Sequence, residues 1–95
     1  MQRRNPAPAV HFGQILAEYA RTRRADSSLR DIAEEVGCGS ALMTRMAQGQ
    51  RRPPVKYVEP LADALRLKGK ERSEFIRCGL KAFLGDDYET IIQLI

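Results

Sequence analysis

Between Val36 and Val58 the chain carries Arg45, Arg51, Arg52 and Lys56 and no acidic residue. Cations gathered without carboxylates favour a polyanionic partner. An arginine in such a stretch can do two kinds of recognition. It can bond a phosphate oxygen, which fixes position, or offer its planar fork to guanine O6 and N7, which reads sequence. Leu42 lies in the same stretch on the face that the spacing turns outward, where it packs locally or meets a thymine methyl. The chain as a whole has sixteen basic and twelve acidic residues, a net charge of +4. That mild excess is ordinary for a solvated surface, so the local distribution is the informative part.

Catalytic chemistry is poorly supplied. The one histidine, His11, sits beside Phe12 at the expected start of the first helix. There is no Gly-x-Ser-x-Gly elbow and no phosphate-binding loop. Asp86, Asp87 and Glu89 follow Gly85 and read as a solvated turn rather than the converging carboxylates of a nuclease. Cys38 and Cys78 lack ligand spacing, and with His11 they are too few for a metal site. They read as free thiols of a reducing compartment. The expectation is a non-enzyme with no cofactor and no metal.

The elements that must position the cations are short helices. Leu29, Ile32, Ala33 and Val36 recur at i, i+3, i+4 and i+7, one face of a helix over Ser28–Val36. Ser28 is placed to cap it, and Gly37 stands where a left-handed residue ends it. Gly39 precedes a second helix over Ser40–Gln48, whose Met43, Met46 and Ala47 should pack on Ile32 and Val36 as core. Gly49 closes it. Two short helices joined at a steep angle by Gly37-Cys38-Gly39 make a helix-turn-helix, whose second helix enters the DNA major groove.

These residues carry a family resemblance. Ile32-Ala33 with Gly37, a short helix, then Gly49 with Arg51, Arg52, Pro53 and Pro54, looks like the lambda repressor/Cro-like (XRE-type) helix-turn-helix family. LADALRL at Leu61–Leu67 resembles that family's fourth helix, and KERSEFIR at Lys70–Arg77 its fifth. The resemblance runs from Phe12 to Leu84. Leu29 stands where the family usually has Gln, and Ala47 where it often has Glu. The resemblance implies a compact all-α, five-helix domain that binds double-stranded DNA. It also implies roles. Ser40 and Ala41, in the first turn of the recognition helix, and Thr44 and Arg45, on its outward face, would meet bases. Gln48 would meet phosphate, and Arg51 and Arg52 would contact DNA past the closing glycine.

The remaining chain completes this organisation. Residues 1–10, MQRRNPAPAV, are expected to form a flexible basic arm kept from regular helix by Pro6 and Pro8. That arm either stays free or lies along DNA with Arg3 and Arg4. No apolar run follows its arginines, so it does not read as a secretory signal. The first helix is expected over His11–Arg24, with Phe12, Ile15, Leu16, Tyr19 and Ala20 inward. Arg21, Arg23 and Arg24 at its end suit the helix dipole or a phosphate. The fourth helix is expected near Tyr57–Leu67, delayed or kinked by Pro60 and ended by Lys68-Gly69. The fifth, over Lys70–Leu84, has an apolar stripe of Phe75, Ile76, Gly79, Leu80, Phe83 and Leu84. The domain thus spans 11–85, and 86–95 is a short apolar extension, YETIIQLI after Asp87, serving dimerisation. No apolar run approaches the ~20 residues of a membrane span.

The expected protein is a cytoplasmic, nucleoid-associated regulator of transcription. It would be a Cro-type repressor that occupies a palindromic operator as a homodimer. The alternative is a protein-interaction module, such as the antitoxin of a toxin–antitoxin pair, with the apolar C-terminal run buried in a protein partner.

Overall fold

Pro8 opens the first helix rather than preventing it. In the computed structural model, which describes residues 8–85, α1 spans Pro8–Arg23. At a first helical position the missing N–H has no intrahelical partner to lose, and the ring's φ already suits the helix. The helix therefore starts three residues before His11. Residues 1–7 of the expected arm, and the whole of the expected extension 86–95, lie outside the described residues.

Helix α2, Leu29–Val36, is bounded as its sequence asks. Ser28 Oγ accepts from the Asp31 N–H at 3.1 Å, and Asp31 returns the bond by accepting from the Ser28 N–H at 3.0 Å. This reciprocal capping box satisfies two backbone donors. Gly37 ends the helix at φ 87°, the left-handed region. Helix α3, Ser40–Ala47, follows after Gly39 as N-cap and ends on Gln48.

Helix α4 departs from expectation at both ends. It spans Val55–Ala64, so it begins two residues before Tyr57, with Pro54 as N-cap and Pro60 in its second turn. Pro60 removes the bond to the carbonyl of Lys56, a residue on the exposed face. The helix stops at Ala64 instead of continuing to Leu67. Arg66 takes the left-handed position at φ 61°, with Leu67 N–H bonded to Ala62 O and Arg66 N–H to Asp63 O. That pairing is a Schellman motif. Its physical reason is the burial of both Leu65 and Leu67, which a straight helix would turn to different sides. Helix α5, Gly69–Leu84, then returns across the domain.

The core gathers one stripe from each helix. Phe12, Leu16, Ile32, Met43, Met46, Leu61, Leu65 and Phe75 are fully or almost fully buried. Phe12 and Phe75 join α1 to α5 with ring centroids 5.1 Å apart. Ile15 and Tyr19, expected inward, are only half-buried at the core's edge. On α5 the buried residues are Phe75, Gly79 and Ala82, whereas Leu80 and Phe83 remain 36% and 41% exposed. The architecture is all-α, with five helices and no strand among the described residues.

Candidate nucleic-acid interface

Helix α3 is held from behind. Met43 and Met46 are fully buried and pack into the cluster that contains Ile32 and Ala33 of α2. From the other side α1 crosses the end of α3 at Gly13. A Cβ on Gly13 would lie 2.5 Å from Met46 O and 2.8 Å from Gly49 N. Only a residue without a side chain lets the two backbones approach so closely. Sequence reasoning missed Gly13, because its signal, a glycine in the middle of an amphipathic helix, is also that of a tolerated defect.

With its back so fixed, α3 presents Ser40, Ala41, Thr44, Arg45 and Gln48 to solvent. Leu42 does not join them. It is half-buried and packed against the core, so its side chain supports α3 instead of standing free on the outward face. The reason is the helical period: Leu42 neighbours Met43 and Met46 around the barrel, at the margin of the buried stripe. Arg51 and Arg52 follow in the loop, both exposed, while Pro53 beside them is buried and anchors that loop. Lys56 lies over the Tyr57 ring, its ammonium 5.0 Å from the ring centroid, a cation–π placement.

The remaining charges are sorted differently. Arg21 pairs with Glu18, Arg23 with Glu71, Arg24 with Glu35, and Arg72 with both Glu59 and Asp63. Arg30 and Lys70 each approach a glutamate one turn along their own helices. None of the ion pairs among the described residues uses Arg45, Arg51, Arg52 or Lys56. Among the described residues the cations of the acid-free segment thus join no ion pair, whereas Arg21, Arg23, Arg24, Arg30, Lys70 and Arg72 already face carboxylates of the protein. This accounts for the three arginines at the end of α1, which the structure joins to carboxylates of the protein itself.

Arg24 among them has a role that no spacing announced. It is buried, and its guanidinium bonds Ala64 O at 2.6 Å, Ser27 Oγ at 3.0 Å and the Glu35 carboxylate. One side chain thereby ties α1, α2 and α4 together behind the helix-turn-helix. The bond from Arg24 holds the Glu35 carboxyl below the usual carboxylate range, and the Ser28 N–H does the same for Asp31. Burial pushes the Cys38 and Cys78 thiols up, which disfavours the thiolate.

Chemically, this surface can hydrogen-bond and attract, through guanidinium, hydroxyl and amide groups on a rigid helix, and it offers no nucleophile with a base beside it. Among the described residues no group of three or more His, Cys, Asp or Glu is placed to hold a metal ion. No helix among them is long and apolar enough to cross a membrane.

A family model described as a helix-turn-helix domain matches residues 15–75, from the middle of α1 into α5. No curated protein and no solved structure matches the chain.

Proposed function

Because the chain belongs to the helix-turn-helix domain family, we propose that it is a sequence-specific double-stranded-DNA-binding regulator of transcription. It acts as a repressor by occupying an operator, with α3 in the major groove. The observation that carries this reading is the placement of charge: among the described residues Arg45, Arg51, Arg52 and Lys56 join no ion pair, whereas Arg21, Arg23, Arg24 and Arg72 are bound to carboxylates of the protein. Arg45, Thr44, Ser40 and Ala41 meet base edges. Gln48, Arg51 and Arg52 meet phosphate and set the register. Leu42, half-buried, contributes by holding α3 in place.

A single module of this size reads few base pairs, so the regulator works as a homodimer on a palindrome with half-sites roughly 34–36 Å apart. The exposed pair Leu80 and Phe83 on α5 supports this, together with the aliphatic run Tyr88–Ile95 that begins just beyond Gly85. Apolar surface left open on a small domain favours association. The cell compartment that fits this role is the cytoplasm, at the nucleoid.

The test is selection of bound sites from random duplex DNA, followed by salt-dependent titration of variants on the selected site. Arg45→Ala is expected to lose about 1–3 kcal/mol and to relax preference at one base pair if it reads guanine. Arg51→Ala should weaken binding to all sequences and make the salt slope shallower by about 0.9. Wild-type binding by all of these variants would place the reading face elsewhere.

A further inference from the structure

Helix α3 keeps its leading end free of bulk. Its N-cap is Gly39, which has no side chain to bond the first turn, whereas α2 opens on the Ser28–Asp31 capping box. The fold does not demand a glycine there: φ is −73°, and among the described residues a Cβ would meet nothing within 4 Å. Serine, threonine, asparagine or aspartate would cap the helix through a side-chain oxygen. The next two residues, Ser40 and Ala41, are small as well, and both are exposed.

Ala41 also points almost straight away from the core. At 3.6 residues per turn it stands about 170° around α3 from the midpoint of the buried Met43 and Met46. Thr44 follows at i+3 on the same face and is exposed too. A helix with its side chains is about 10–12 Å across, and the major groove is about 12 Å wide. A face of small residues therefore reaches the base edges, where a face of long side chains would stand off. The alanine methyl neither donates nor accepts. Its apolar partner in the major groove is the 5-methyl group of a pyrimidine, which thymine carries and cytosine gains only by methylation.

We infer that Ala41 and the γ-methyl of Thr44 together read pyrimidine 5-methyl groups. The inference rests on the reading above that α3 enters the major groove, and it names the bases selected there beside the guanine of Arg45. Side chains three apart on a helix have Cβ atoms about 5–6 Å from one another. Base pairs rise about 3.4 Å per step. The two methyl groups read therefore lie within two steps of each other. What is recognised is the methyl itself, so thymine and 5-methylcytosine serve alike, and uracil and cytosine do not.

The experiment uses the full chain and a duplex selected by it from random DNA, with binding followed by fluorescence anisotropy. Each thymine of the selected site is replaced singly by deoxyuridine, which removes only the methyl, and each cytosine singly by 5-methylcytosine, which adds one. At one or two positions, no more than two steps apart, loss of the methyl is expected to weaken binding about three- to fivefold, the worth of one buried carbon. At the same positions a 5-methylcytosine·guanine pair should bind better than cytosine·guanine by the same factor. Ala41→Gly and Thr44→Ser each remove one methyl from the protein, and each should abolish the effect at one position and leave the other. The readout is a ratio between two duplexes on one protein, so a general loss of stability does not move it. Thr44→Ser keeps the hydroxyl and still decides the matter where Ala41→Gly loses binding altogether. Specific binding that ignores every methyl, or a methyl effect that survives in both variants, overturns the inference and leaves the functional reading standing. A wild-type chain that selects no duplex overturns both.

Discussion

Gly13→Ala opposes two effects whose sizes the structure compares. By helix propensity alone the change stabilises, because alanine in a helix interior is worth roughly 0.5–1 kcal/mol over glycine. The new methyl, however, would stand 2.5 Å from Met46 O, 2.8 Å from Gly49 N and 3.0 Å from Ala47 O. All three are backbone atoms, so no side chain can swing aside. Ordinary contact begins near 3.4 Å, so α1 and the end of α3 must part by up to about 0.9 Å. Forcing an extra methyl into a packed interior costs about 1–3 kcal/mol. The difference spans about 0–2.5 kcal/mol with a centre near 1, so packing wins, and a loss of about 1 kcal/mol lowers Tm by roughly 4–8 °C for a domain of this size. Thermal and urea denaturation followed by circular dichroism measure it, with Gln14→Ala as an exposed neighbour expected to change stability by less than ~0.5 kcal/mol. Because α3 is the element displaced, affinity for a selected operator should fall as well, even below the melting transition. A Gly13→Ala protein that melts at or above the wild-type temperature would refute the close crossing of α1 over α3.

Other expectations follow from the same structure. Gly37→Val should lower stability by about 1–2 kcal/mol through its backbone alone, since nothing lies within 4 Å of a Cβ there but φ is +87°; an unchanged Tm would refute the left-handed turn. Glu35 and Asp31 have folded pKa values below their unfolded ones. Their contribution is therefore full above the unfolded values near 4 and is lost as pH falls through the folded values. Urea midpoints measured from pH 7 to pH 3 should drop in this acid window, and Glu35→Gln should flatten the drop; a parallel curve would show that the Arg24 tie does not carry it. Deleting Tyr88–Ile95 should give a folded monomer with weak operator binding by sedimentation and titration, and a truncated chain that stays dimeric would rule out the C-terminal interface.

What the sequence determined by itself is local and periodic. The capping of α2 by Ser28, the left-handed turn at Gly37 and the buried stripe of Met43 and Met46 each follow from residues within a few positions of one another. The order of five helices and the acid-free segment were legible for the same reason. The boundaries of α4 were not, because Pro60 obeys a local rule that the burial of Leu65 and Leu67 and the placing of Pro54 override. For Leu42 the sequence left two roles open, local packing or a thymine methyl, and only the neighbouring helices show that it packs against the core. The remaining surprises are contacts between residues far apart in the chain. Gly13 meets the end of α3, Arg24 reaches Glu35 and Ala64, and Arg52 rests on Gly85. Each depends on how helices cross. Crossing is set by summed packing over the whole core, a quantity that no window of sequence contains.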